Sequence, residues 1–338
     1  KPIEQSSIIA RTTRVDKNSA FAYTDISGKA LKVQNLGQDF TYLIANTPSA
    51  VTTSDAGAGV GYTGIRIRGS DATRINVTIN GIPINDAESH GVYWVNMPDL
   101  ASSASSVQIQ RGVGTSTNGN GSFGANISIN NIEKNEQPFV QMQQSYGSFN
   151  TAKSNLKFGT GSLGNFSFSG RLSGIRSDGY IDRASSNLAA FQFNLNYYKN
   201  KWAVNALSFG GKEKTYQAWN GTPQSRYEGN KEAMQAYSDR NYLTADQQSN
   251  LLSSGRTYNY FTYKNQTDNY WQNHYQLHLG KEMKKGLMFK SSFFTTTGKG
   301  YYEEYKEGAS YAAYGVPDYI SPKQDTVSAT NLIRQKWL

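Results

Sequence analysis

Two patterns of apolar and polar positions divide the chain. In its first third, short alternations each stop at a glycine. Ile65-Arg66-Ile67-Arg68-Gly69 alternates apolar with basic residues, and Val107-Gln108-Ile109-Gln110-Arg111-Gly112 repeats the form. Residues 74–80 set Ile75, Val77 and Ile79 on one face before an Asn80-Gly81 turn. Residues 35–45 place Leu36, Phe40, Leu43 and Ile44 on one helical face and end before Pro48, which predicts a short helix. Residues 26–29 read as a turn, 54–64 as a loop and 85–98 as an irregular segment. Asp99 reads as the cap of a helical turn over residues 99–104. A glycine-rich turn at 118–124 leads into a strand over 125–132. Together these predict a small α+β unit.

Near Glu133 the pattern changes to a series of period-two segments. Phe166, Phe168, Gly170 and Leu172 face away from Ser167, Ser169, Arg171 and Ser173. Phe191, Phe193, Leu195 and Tyr197 oppose Gln192, Asn194 and Asn196, and Trp271, Tyr275, Leu277 and Leu279 oppose Gln272, His274, Gln276 and His278. Further strands are predicted at 139–145, 151–159, 202–209 and 287–296, with a last one beginning at Asn331. Turns near 160–164, 199–201 and 281–286 are short. Connections at 210–267 and 298–330 are long, while the one at 146–150 is short. Short turns at one end and long loops at the other are the habit of outer-membrane barrels. A soluble antiparallel sandwich shares the alternation but rarely carries loops this long without structure.

Composition narrows the picture. The 338 residues hold 34 Lys and Arg against 25 Asp and Glu, a net charge of +9. That bias is mild and unclustered, so it does not indicate a nucleic-acid partner. With no Cys and three His, disulfide and thiol chemistry are excluded and a histidine-rich metal site has little material. No apolar run approaches the ~20 residues of a membrane helix, which leaves a barrel open because its strands need only about 9–11 residues. The serines at Ser102, Ser103, Ser105 and Ser106 lack a nucleophile-elbow setting, and no phosphate loop or zinc-protease helix is present. The chain reads as no enzyme and calls for no cofactor or metal.

The order and spacing of four motifs carry a resemblance. These are 65–69, the Asn80-Gly81-Ile82-Pro83-Ile84 turn, 107–112, and Asn120-Gly121-Ser122-Phe123-Gly124-Ala125. The first third resembles the plug domain of TonB-dependent outer-membrane receptors, and the strands from Phe139 resemble the start of that family's barrel. The segment from Asp86 to Trp94 most resembles ferric-citrate-type or uncharacterised Bacteroidetes-style members, and not the polysaccharide-import branch. The resemblance implies a plug over residues 1–133, then residues 134–338 as the N-terminal portion of a transmembrane antiparallel barrel of about 22 strands, truncated at its C-terminus. An open sheet would leave edge groups unpaired in lipid, so the native protein is expected to be longer. A barrel of about eight strands would not hold a plug of this size. No segment before Lys32 reads as a TonB box.

The implied function is import of a scarce ligand, such as an iron-siderophore or other metal chelate, across the outer membrane of a Gram-negative bacterium. The implied partners are the TonB complex, outer-membrane lipid and the ligand, with no nucleic acid. The alternative is a structural or adhesive barrel without transport. By resemblance, Arg68 and Arg111 lock the plug through barrel-wall glutamates; otherwise they are surface arginines at strand ends. Asp86, Glu88, His90, Tyr93 and Trp94 are candidates for the ligand-facing plug apex, or else a hydrogen-bonded loop anchored by Tyr93 and Trp94. In the long loop, Tyr216, Trp219, Arg226, Tyr227, Lys231, Tyr237, Arg240 and Tyr242 could hold an anionic chelate by charge and stacking, or could be solvated. His274 and His278 read as lumen-facing polar residues.

Overall fold

The computed structural model describes residues 14–15, 18–113, 123–132, 135–284 and 287–338. The turn expected at 118–124 and the change of pattern at Glu133 therefore lie largely outside the described residues. In the first unit the strands are β1 (Tyr23–Ser27), β2 (Ala50–Ser54), β3 (Thr63–Ile67), β4 (Ile75–Ile79), β5 (Ile82–Pro83), β6 (Ser106–Arg111) and β7 (Ala125–Asn130). Five of them form a sheet in the order β1-β6-β7-β4-β5, with β2 and β3 a separate hairpin. Strand β4 runs parallel to β7, and both are covered on both faces. Alternate residues there are polar yet buried, and one cross-strand pair, Asn76 with Asn126, bonds at 3.2 Å. Asn80 and Gly81 both take positive φ, 55° and 85°, as the tight turn from β4 to β5 requires.

The helices differ from expectation. The turn expected at 26–29 instead opens α1 (Gly28–Gln34), where the Ser27 hydroxyl accepts from the Ala30 amide as an N-cap. The helix expected over 35–45 shrinks to one turn, α2 (Phe40–Leu43). Gly37, at φ +127°, sits where the helix would have run. Leu36 is consequently exposed, while Phe40, Leu43 and Ile44 enter the core. A second single turn, α3 (Leu100–Ser103), follows Asp99.

An eight-stranded antiparallel sheet follows: β8 (Pro138–Gly147), β9 (Thr151–Thr160), β10 (Phe166–Ser177), β11 (Ser186–Lys199), β12 (Trp202–Tyr216), β13 (Thr267–Lys284), β14 (Leu287–Ser310) and β17 (Ala329–Trp337). A small hairpin, β15 (Tyr319–Ile320) and β16 (Thr326–Val327), lies between the last two. The alternation read from sequence sets the two faces. Phe166, Phe168, Leu172, Phe193, Leu195, Trp271, Tyr275 and Leu277 are exposed, while Arg171, Gln192, Asn194, Asn196, His274, Gln276 and His278, on the opposite face, are buried. Leu207 and Phe209 of β12 join the same apolar core as Ile65, Val77, Trp94 and Ile127, so the first unit packs on the inward face of the sheet.

Two strands outrun their expected ends, β12 to Tyr216 and β14 to Ser310. Beyond Phe209 the outward positions turn polar, with Lys212 and Lys214, so the apolar alternation stops while the hydrogen-bond ladder continues. Nor is the long connection structureless. Residues 217–266 hold α4 (Gln224–Glu228), α5 (Lys231–Arg240) and α6 (Ala245–Ser253), packed around Met234, Leu251 and Tyr258. Thr244 and Gln247 form a full capping box at the start of α6, a signal legible in the sequence.

Candidate functional site

A buried ion-pair cluster between the first unit and the sheet centres on Asp99. Its backbone is left-handed, φ 54°, and its side chain makes no cap. That corrects the expected N-cap. The carboxylate instead enters the wall, completely buried with Lys153. Oδ1 accepts from Lys153 Nζ at 2.8 Å, Asn35 Nδ2 at 2.8 Å and Ser102 Oγ at 2.6 Å. Oδ2 accepts from Asn155 Nδ2 at 2.6 Å and Ser173 Oγ at 2.5 Å, and lies 3.2 Å from Arg171 Nη1. Arg171 also donates to the Asp99 carbonyl at 2.9 Å. Burial alone would raise the Asp99 carboxyl; Arg171 and Lys153 outweigh it and hold the group below the usual carboxylate range. Lys153 and Asn155 come from β9 and Arg171 and Ser173 from β10, all at inward positions, so strand pairing sets the donors side by side.

At the loop end, a second contact joins plug to sheet through Tyr62. Its hydroxyl donates to Asp268 Oδ2 and lies 3.5 Å from Glu213 Oε1. Burial first, then the charges of Glu213 and Asp268, push the phenol far above its ordinary range, so it stays a donor. The Trp219 ring stands edge-on to Tyr62, centroids 5.8 Å apart, and edge-on to Tyr302 at 6.1 Å. Beside it, Gly57 and Gly61 take positive φ, and Tyr180 and Ser186 of the wall lie where their side chains would stand. The loop expected at 54–64 is therefore a fitted surface.

Of the residues expected at the apex, Asp86, Glu88, His90 and Tyr93 lie together at the surface. Asp86 accepts from the amides of Ser89 at 2.7 Å and Glu88 at 3.1 Å, which lowers its pKa and fixes the loop. Trp94 is a correction: only 3% exposed, it stacks on Phe40 at 5.0 Å and offers no ligand surface. No cluster of metal-ligating residues occurs among the described residues.

The long-loop candidates separate as well. Trp219 alone of them meets the first unit among the contacts described, and it does so through Tyr62. Tyr216 ends β12, 8% exposed, with its hydroxyl donating to the carbonyls of Phe261 and Tyr263; burial corrects its expected ligand contact. Arg226 donates to the carbonyls of Leu251 and Leu252 at the end of α6. Tyr237 packs in the helical core, and Tyr227 lies under the Arg256 guanidinium at 4.6 Å. Lys231, Arg240 and Tyr242 are on the outer surface. Arg68 follows β3 and Arg111 ends β6, and the Arg68 guanidinium lies over Gly112, the residue after Arg111. Among the described residues neither pairs with a carboxylate, and Arg111 Nε is buried without a partner.

Asp39 gives a pH test of the seat. It caps α2 and accepts from the Phe40 amide at 2.8 Å and from the Thr63 hydroxyl. Burial outweighs those bonds and pushes its carboxyl up to about 6. With the folded pKa raised above the unfolded 3.8, the contribution of Asp39 to stability is greatest below pH 4 and falls as pH rises to about 6, by roughly 3 kcal/mol. Asp55, also pushed up to about 6 by burial, adds a slope of the same sign, so Asp39→Asn is expected to reduce the slope of thermal unfolding between pH 4 and 7 and to stabilise the protein at pH 8. Equal slopes in the two proteins would show that Asp39 is not the group.

Sequence reasoning missed Asp99, Lys153, Arg171, Tyr62, Glu213 and Asp268. The one available signal was charge at inward positions of predicted strands, where Lys153 and Arg171 stand between small polar residues.

Comparison with known proteins agrees with this architecture. Residues 15–126 match the family model of the TonB-dependent Receptor Plug Domain. No curated protein matches the chain. Among solved structures, the complex of FpvAI with pyocin S2 aligns at TM-score 0.64 and 13% identity over 95% of this chain and 37% of that one. The open form of the ferric-catecholate import receptor Fiu of E. coli K12 aligns at 0.62 and 13% over 94% and 44%. The siderophore receptor PiuA of Acinetobacter baumannii aligns at 0.60 and 11% over 88% and 40%. The chain thus spans about two fifths of the length of these structures. Residues 15–126 are a TonB-dependent receptor plug domain, and the eight-stranded sheet after them has the fold of the barrel wall of such receptors.

Proposed function

We propose that this chain is the N-terminal part of an outer-membrane importer that takes up a scarce ligand, an iron-siderophore or related metal chelate, energised by the TonB complex. The observation that supports this reading is a plug packed on the inward face of the wall, with Tyr62 at its loop end against Trp219 of the folded connection. Capture falls to Tyr93, Asp86, Glu88 and His90 from below and Trp219 from above. Tyr62 then links the loop to the plug, so movement of one is felt by the other. The plug divides at about residue 133, and Arg68 and Arg111 would be held by glutamates of the remaining wall. No enzymatic step belongs to this reading.

The test is growth of the source bacterium under iron limitation on a panel of ferric siderophores. Loss of the protein is expected to abolish growth on one chelate, and loss of TonB to do the same. Unchanged use of every chelate, with a defect in surface attachment instead, would favour a structural barrel.

A further inference from the structure

The outward face of the sheet is not uniform. Along β12 the outward side chains are small, Ala206, Ser208 and then Gly210, while its neighbours carry large ones. The register sets Ala206 between Leu195 and Leu277, and Ser208 between Phe193 and Tyr275. The result is a recess of about 480 Å³ floored by Ala206 and Ser208 and walled by their large neighbours, with Phe168, Phe293 and Phe294 at its margins. Toward the loop end the same strand face becomes basic. Lys212 and Lys299 flank Trp271 in register, with Lys299 Nζ 5.9 Å from the indole ring centre, and Lys214 follows on β12. All three lysines are exposed, and among the described residues none forms an ion pair. Glu303, on the same face, already accepts from Tyr263, Asn265 and Gln335.

We infer that this furrow is a binding site for one membrane lipid with a phosphorylated headgroup, its acyl chain along Ala206 and Ser208 and its phosphate at Lys212, Lys214 and Lys299. The inference rests on reading the outward face as lipid-facing. Distance supports the pairing of chain and headgroup. From Ala206 to Lys212 is six residues, about 20 Å along a strand. At a barrel tilt of about 40° that is about 15 Å of depth, half of a ~30 Å hydrocarbon core. A lipid with its phosphate at the lysines would therefore end its chain at the recess. Trp271, whose indole donates to Asn273 Oδ1 at 2.8 Å, stands at the boundary where interfacial tryptophans are enriched.

The full-length receptor, extracted in mild detergent, would be exposed to phosphatidylglycerol and phosphatidylcholine in turn and its retained lipid counted by native mass spectrometry. Preferential retention of the anionic lipid is expected. Each Lys→Gln change at 212, 214 or 299 should lower that preference about fivefold, the usual worth of a lysine near an anionic surface. Ala206→Leu, which fills the recess, should reduce retention of both lipids while the protein keeps its heat-modifiable mobility on gels. No preference in the wild type, or equal retention by all variants, would overturn the site. So would displacement by millimolar inorganic phosphate, which would mark a simple anion site. None of these readouts depends on ligand uptake, so failure here leaves the transport reading standing.

Discussion

Asp99→Asn is expected to loosen the plug from the wall by about 3–5 kcal/mol, the usual cost of removing one partner from a buried ion pair. Shape and volume hardly change, but Lys153 and Arg171 are left buried and facing each other. Hydrogen exchange of the α3 amides in the intact receptor reads the effect directly, and exchange as slow as in the wild type would remove the anchoring role. The same geometry fixes a pH dependence. Because the carboxyl is depressed, its stabilisation is fully present above the unfolded pKa of about 3.9 and is lost as pH falls below it. Acidification to pH 5 should therefore leave the seat closed. Replacing Lys153 and Arg171 with Met in the Asp99→Asn background should restore much of the loss, since apolar groups carry no desolvation penalty.

Trp94→Ala is expected to cost a similar amount, about 3–5 kcal/mol, as a large buried ring leaves a cavity. Its indole is parallel to Phe40 within 15° and lies in the same core as Leu207 and Phe209 of the wall. Thermal unfolding should show the fall. The neighbour provides the contrast. Tyr93, half exposed, should change stability by less than about 0.5 kcal/mol when cut to Ala, while lowering ligand-dependent growth. If both variants unfold alike, the division into a structural Trp94 and a ligand-facing Tyr93 is wrong.

The periodicity exposed the sheet well because each outward Phe, Leu, Tyr or Trp alternates with an inward Ser, Asn, Gln or His. It lost the strands where both faces turned polar, beyond Phe209 and Thr296. Single-turn helices such as α2 and α3 carry too few residues for a period to show. The seat was hidden for another reason. Asp99 before a helical turn looks like a cap by local chemistry, and only its left-handed backbone and the inward Lys153 and Arg171 redirect it. Such a choice depends on partners more than 50 residues away, as the separations from Asn155 and Arg171 show. Trp94 followed the same logic, since its exposure depends on where Phe40 lies.

Those separations also bear on how the molecule is made. The wall donors that receive Asp99 sit on β9 and β10, the second and third strands after the plug. The separations are long for a helical turn but short beside the span of the whole sheet, and contacts nearer in sequence close earlier because less loop entropy opposes them. The plug can therefore be captured once three wall strands have paired, before the last has joined the sheet. Assembly would then proceed around a plug already in place, and no finished ring would have to admit one.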